Sequence, residues 1–140
     1  MNGDLDQAVE LYRASIALYP TVEAHTFLGW AYSLLGQYDQ AIAECQRAIE
    51  IDPDFGNPYN DIGAYLIEQK EFDQAIPWFE RALQARRYSS YHFPWFNLGR
   101  VYLAKDQYSR AIECFEKALT IDPQYALALE AIEAVKKKIH

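Results

Sequence analysis

FLGWAYSLLGQYDQAIAECQRA, from Phe27 to Ala48, comes back twice along the chain. It returns as DIGAYLIEQKEFDQAIPWFERA from Asp61 to Ala82 and as NLGRVYLAKDQYSRAIECFEKA from Asn97 to Ala118. A fragment of the same phrase, GDLDQAVELYRAS, starts at Gly3. Leu28 to Ile62 is 34 residues, and Ile62 to Leu98 is 36. Self-similarity at that period marks a repeat array, in which each unit buries its apolar face only against its neighbours.

Each full unit reads as two helices. From Val22 to Leu35 the residues Val22, Phe27, Leu28, Ala31, Leu34 and Leu35 fall at helical spacing. Gly36 supplies the stop that helix C-termini favour. Asp39 is the expected N-cap of a second helix over Gln40 to Ile51, with Ala41, Ile42, Cys45, Ala48 and Ile49 facing inward. Asp52-Pro53 ends it, since proline cannot continue the hydrogen-bond ladder and turns its predecessor away from the α region. A tight turn between the two helices makes an antiparallel pair. In the second unit the same logic makes Asp73 the N-cap and leaves Pro77 in the opening turn, where its missing N–H costs little.

The pattern resembles the tetratricopeptide repeat, a 34-residue helix–turn–helix unit. In the first full unit the signature falls on Leu28, Gly29, Tyr32, Gly36, Tyr38, Ala41, Ala48 and Pro53, with His25 and Cys45 at positions where aromatics are usual. The second unit keeps Tyr59, Ile62, Gly63, Phe72, Ala75, Phe79 and Ala82 but has Leu66, Lys70 and Arg87 at the tyrosine, turn glycine and closing proline. The third has Trp95, Leu98, Gly99, Tyr102, Tyr108, Ala111, Phe115, Ala118 and Pro123, with Asp106 at the turn glycine.

The resemblance implies an all-α, right-handed solenoid of antiparallel helix pairs forming one domain over 1–140. Its expected parts are a half repeat over 3–21, repeats over 22–55, 56–91 and 92–125, and a capping helix over 126–140. The half repeat supplies a second helix only, so the chain reads as cut from a longer array. In the cap, Leu129, Ile132, Val135 and Ile139 are expected on the buried face, with Lys136 to Lys138 off it.

The bulk numbers agree with one folded domain. Half of the 140 residues are apolar, which argues against disorder. No apolar run reaches the ~18 residues of a membrane span, and Asn2, Asp4 and Asp6 do not suit a signal-peptide start. The default compartment is cytoplasmic, with no membrane partner. A net charge of -7 argues against nucleic-acid binding, which needs a basic surface. The charge is uneven: residues 1–70 carry 11 acids and 3 bases, net -8, and residues 71–140 carry 9 acids and 10 bases, net +1. Cys45 and Cys114 sit in equivalent helices two repeats apart, too far for a disulfide.

No catalytic or cofactor pattern is legible. The histidines, His25, His92 and His140, are scattered without metal-ligand spacing, and no glycine-rich nucleotide loop exists. The chain therefore reads as a non-enzyme with no cofactor. The irregular stretch ARRYSSYHFP, Ala85 to Pro94, absorbs two extra residues and is expected as a longer loop whose tyrosines pack on the solenoid edge. Its sharper alternative is a contact site, with arginines beside aromatics.

What remains is a surface. In the family, first helices line a concave groove that takes up a peptide. The corresponding positions here include Glu23, Thr26, Phe27, Trp30 and Ser33, then Asn57, Asn60, Asp61, Ala64 and Glu68, then Phe93, Phe96, Asn97 and Arg100. The expected groove contacts are Trp30, Asn60, Asp61, Phe93, Phe96, Asn97 and Arg100. Trp30 stands where the family usually has a polar residue and is of binding-anchor type. The asparagines suit an extended peptide's backbone, and Arg100 suits a carboxylate. Of the clamp with which chaperone-binding relatives hold a terminal carboxylate, only Asn97 is present, and Asp61 would repel that carboxylate. The expected function is an adaptor whose groove holds an apolar or basic peptide or protein segment. The alternative is a spacer or self-assembly segment of a longer repeat protein, associating weakly through the N-terminal half repeat.

Overall fold

The computed structural model describes residues 2–139, and His140 lies outside them. The described residues form eight α-helices: α1 Asn2–Leu18, α2 Val22–Leu34, α3 Tyr38–Ile51, α4 Asn57–Glu68, α5 Phe72–Gln84, α6 His92–Ala104, α7 Tyr108–Ile121 and α8 Ala126–Ile139. The pairs α2/α3, α4/α5 and α6/α7 are the three repeats, and each second helix packs on the first helix of the next unit. Consecutive first helices also touch, α2 on α4 and α4 on α6, while the second helices make no comparable contact among the described residues. The first helices are therefore the inner layer of a curved stack.

One turn closes all three pairs. After α2 the Gly36 N–H reaches the Ser33 carbonyl and the Gln37 N–H reaches Tyr32, at 3.0 and 2.9 Å. Lys70 and Glu71 repeat these bonds to Ile67 and Leu66, and Asp106 and Gln107 repeat them to Leu103 and Tyr102. This double bond is the Schellman motif, which needs a left-handed residue at its fifth position. Gly36 takes φ 77°, and Lys70 and Asp106 take the same conformation at 62° and 60° although they carry a Cβ. The turn is thus kept where the signature glycine is lost, at a cost in strain. Lys70→Gly and Asp106→Gly should each stabilise the fold by ~0.5–1 kcal/mol, read as a shift in urea midpoint.

The same turns correct the expected helix starts. Because Gln37 and Glu71 close the motif, α3 begins at Tyr38 and α5 at Phe72, with no side-chain cap. Asp39 and Asp73 are first-turn acids, placed well for the helix dipole, rather than caps. Pro77 consequently lies inside α5, beyond its opening turn, and denies the Asp73 carbonyl its partner. It stands on the exposed side of the helix, where water can serve that carbonyl.

The core runs between the layers. Ile62, Phe79, Val101 and Phe115 are fully buried, with Ala31, Ala41, Ala75 and Ala111 allowing close helix approach. In α2, Phe27 and Leu34 are half-exposed, and Ala24, His25 and Tyr32 join Leu28 inside. His25 is accommodated there because its Nδ1 lies 2.8 Å from the buried Glu44 carboxylate, which also pairs with Arg47. Cys45 and Cys114 are free and buried, and burial pushes both thiols up from their ordinary range.

At the C-terminal end α8 buries Ala128, Ile132 and Val135 against α7. Leu129 and Ile139 are half-exposed, contrary to the expected face. Ala128, Ile132 and Val135 fall at i, i+4 and i+7, so the buried face runs one position before the expected one.

The irregular link after α5 is packed down. Arg87 forms an isolated parallel bridge with Phe55: its N–H donates to the Asp54 carbonyl and its carbonyl accepts from Gly56, at 2.9 and 3.0 Å. Its guanidinium pairs with Asp52, which holds that carboxyl below the ordinary range. Tyr88 lies over Gly56, and the Tyr91 hydroxyl donates to the Ala85 carbonyl at 2.6 Å.

Candidate functional site

The inner layer carries an open recess of about 310 Å³ between α1, α2 and α4. Thr26, Phe27 and Trp30 line it from α2, Asn57 and Asp61 from α4, and Tyr12 from α1. Residues three and four apart share one helix face, so Phe27 with Trp30, and Asn57 with Asp61, project side by side. The rows that pack inward are neighbouring ones, which is why these aromatics remain outside the core. Phe27 is 52% and Trp30 49% exposed. Tyr12 stacks on Phe27, with ring centroids 5.8 Å apart and planes 23° apart.

Asp61 is the charged group of this recess. It is partly buried, and loss of water pushes its carboxyl up from 3.8 to about 7. Among the described residues neither a hydrogen bond nor a nearby cation offsets that shift. A carboxylate that keeps its charge next to three aromatic rings and has no partner is costly to maintain.

Farther along the inner layer three groups form a hydrogen-bonded chain. The Asn97 amide donates to Asn60 Oδ1 at 3.1 Å, and Arg100 donates to Asn97 Oδ1 at 3.1 Å. Arg100 also lies 3.5 Å from the Glu68 carboxylate. Both asparagines are buried, so they pin α4 to α6. Phe93 and Phe96 belong to a separate aromatic cluster. Phe96 packs on Phe115 and on Tyr125 at centroid distances of 5.4 and 5.3 Å, and Phe93 meets Tyr125 edge-on at 5.9 Å.

The structure thus brings Trp30 and Asp61 into one recess, and Asn60, Asn97 and Arg100 into one polar chain. Phe93 and Phe96 sit apart from both, around Tyr125. Two partners escaped the sequence reading. Tyr12 walls the recess from the half repeat by stacking on Phe27, a contact between units that the order of residues does not show. The other is the His25–Glu44 pair, which borders a second recess of about 420 Å³ with Arg13, Tyr32 and Arg47 between α1, α2 and α3.

Among the described residues no three His, Cys, Asp or Glu side chains are grouped to hold a metal ion, and no helix is long and apolar enough to cross a membrane. Tetratricopeptide repeat models match residues 54–124 and 22–55. The chain is 38% identical over 97 residues to the cell division cycle protein 27 homolog of Caenorhabditis elegans, covering 68% of this chain and 12% of that protein. It is 32% identical over 123 residues to anaphase-promoting complex subunit 6 of Arabidopsis thaliana, covering 83% and 22%. The chain therefore spans less than a quarter of the length of either relative. Among solved structures, that of MamA superposes with a TM-score of 0.81 at 26% identity, over 97% of this chain and 79% of that one. Repeat period, turn motif, helix stacking and these likenesses agree, and the chain belongs to the tetratricopeptide repeat family.

Proposed function

We propose that this chain is a non-catalytic protein-interaction module that holds a peptide or protein segment along the face built by α2, α4 and α6. Repeats of this family are interaction modules, and one relative is by its name a subunit of a larger complex. The observation that carries the reading is the recess around Trp30. Two half-exposed aromatics and an uncompensated carboxylate next to each other make a poor solvent surface and a good contact surface. The chain Asn60–Asn97–Arg100 extends the same face, with Arg100 only partly held by Glu68.

Selection from a random peptide library on the intact protein, counter-screened with Trp30→Ala/Arg100→Ala, tests this. Enriched peptides should lose at least about tenfold in affinity for the double variant, whose circular dichroism stays unchanged. Well-folded protein that enriches nothing in a Trp30-dependent way rejects the groove.

A second reading rests on α1 and the residue that follows it, where Leu11 is 70%, Leu18 76% and Tyr19 75% exposed. This face, together with the opposed charges of the two halves, suits self-association. A strictly monomeric particle in sedimentation, across concentration and salt, rules that role out.

A further inference from the structure

The recess described above has three features that together select its occupant. Its walls are π faces, from Tyr12, Phe27 and Trp30. Its charge is a single carboxylate, Asp61, with no compensating group among the described residues. It lies in the half of the chain whose net charge is -8. An anion is repelled by all three, and a neutral apolar side chain would bury Asp61 further without relieving it. A cation is attracted by the ring faces and by the carboxylate, and desolvation strengthens both attractions.

Between the cationic side chains, the acceptors decide. A guanidinium brings five N–H donors that need partners once buried. The recess offers the Asp61 carboxylate and the Asn57 amide oxygen, and the Thr26 hydroxyl is turned onto the Val22 carbonyl at 2.7 Å. An ammonium has three donors, and its aliphatic stem can lie along Phe27 and Trp30.

We propose that this recess is an ammonium pocket, in which Tyr12, Phe27 and Trp30 enclose, and Asp61 neutralises, a lysine side chain presented by the bound segment. The inference rests on the groove reading above and names the chemistry of its partner. Arg13, Arg81, Glu68 and Arg100 on the neighbouring elements are already engaged, and Glu23 reinforces the attraction for a cation. On α1, Arg13 is turned onto the Tyr32 hydroxyl. On α2, Glu23 is exposed and adds to the negative field. On α5, Arg81 lies over Tyr59 and Trp78. On α4 and α6, Glu68 and Arg100 face each other. The groups coupled to Asp61 are Cys45, Tyr65 and Tyr88, and burial raises all three so that they stay uncharged near neutrality.

The test uses three short peptide libraries that differ only in one fixed residue, lysine, norleucine or arginine, passed over wild type, Asp61→Asn and Trp30→Ala proteins. Wild type should retain the lysine library about tenfold better than the norleucine library. That preference should vanish in Asp61→Asn, a near-isosteric change that leaves the fold intact, and all retention should drop in Trp30→Ala. Lysine-peptide affinity for wild type should rise about tenfold from pH 6 to pH 8 as Asp61 ionises, and stay flat for Asp61→Asn. Equal, Trp30-dependent retention of lysine and norleucine libraries overturns the ammonium pocket while leaving the groove standing. Arginine retained as well as lysine overturns the choice of side chain. No Trp30-dependent retention from any library removes the groove reading, and the pocket with it.

Discussion

Gly63→Ala is expected to destabilise the protein by ~2 kcal/mol, about 6 °C in midpoint, although alanine is the better helix former. A Cβ at this position would lie 2.4 Å from Cε1 of Phe79 and 2.5 Å from its Cζ. Phe79 is fully buried, so its ring cannot move without displacing Ala75, Ile62 and their neighbours. Overpacking of this kind costs ~1–3 kcal/mol or more, and only ~1 kcal/mol returns through helix propensity. Gly99→Ala should behave alike, since its Cβ would come within 2.3 Å of Phe115. Gly29→Ala is the control: there the nearest atoms are the Ala41 carbonyl oxygen at 3.0 Å and Cys45 Sγ at 3.2 Å. These contacts are tight but do not overlap as the aromatic rings do, so that substitution should cost less than the other two. Urea unfolding of the three variants gives the comparison, and equal losses at all three positions would show that the aromatic rings do not set the helix separation. Restoring Gly63→Ala by adding Phe79→Leu would locate the clash at that ring.

This contrast also shows why the fold was legible. A glycine in each first helix facing a large or small residue in the second, a tyrosine or leucine one turn on and an alanine at the crossing are local signals repeated every 34 to 36 residues. Substituted turn positions kept their conformation because the Schellman bonds, not the glycine, define the turn. The errors fell where packing, not pattern, decides. Helical spacing groups Leu129 with Ile132 and Val135 on one face, whereas the structure buries Ala128 with them, one position away. The helix starts at Tyr38 and Phe72 were missed because Asp39 and Asp73 look like caps, while the turn already satisfies those ends.

The site was legible only in part, for the same reason. Trp30 stands out because the family usually has a polar residue at that position, and it is half-exposed. Asn60 and Asn97 looked equally available, yet they are 37 residues apart and bond to each other across α4 and α6. Pairings of that kind depend on the rotation between successive units, which no single repeat encodes. The environment of Asp61 is a sharper case. Its sequence neighbours do not show that Tyr12, from a different unit, completes the wall that keeps water away.

Asp61→Asn is expected to stabilise the protein by ~2–3 kcal/mol at pH 8 and by almost nothing at pH 4. The sign follows from linkage. The carboxyl has its ordinary value of 3.8 when unfolded and about 7 when folded, so between these values the native state binds the extra proton. Wild type therefore loses stability as pH rises from about 4 to about 7, and levels off once Asp61 is ionised in both states. The full shift corresponds to ~4 kcal/mol, and the recess's opening to water reduces the figure expected in practice. Asparagine keeps the shape and carries no charge, so the difference between variant and wild type should grow across that window and then hold. Denaturant unfolding at a series of pH values measures it, with the difference curve cancelling groups common to both proteins. A difference independent of pH would mean that the carboxylate is fully hydrated in the folded state. Retaining a residue that weakens the fold at neutral pH makes sense if ionised Asp61 is neutralised on binding. A saturating lysine-bearing ligand should then return the lost stability to wild type and give little to Asp61→Asn.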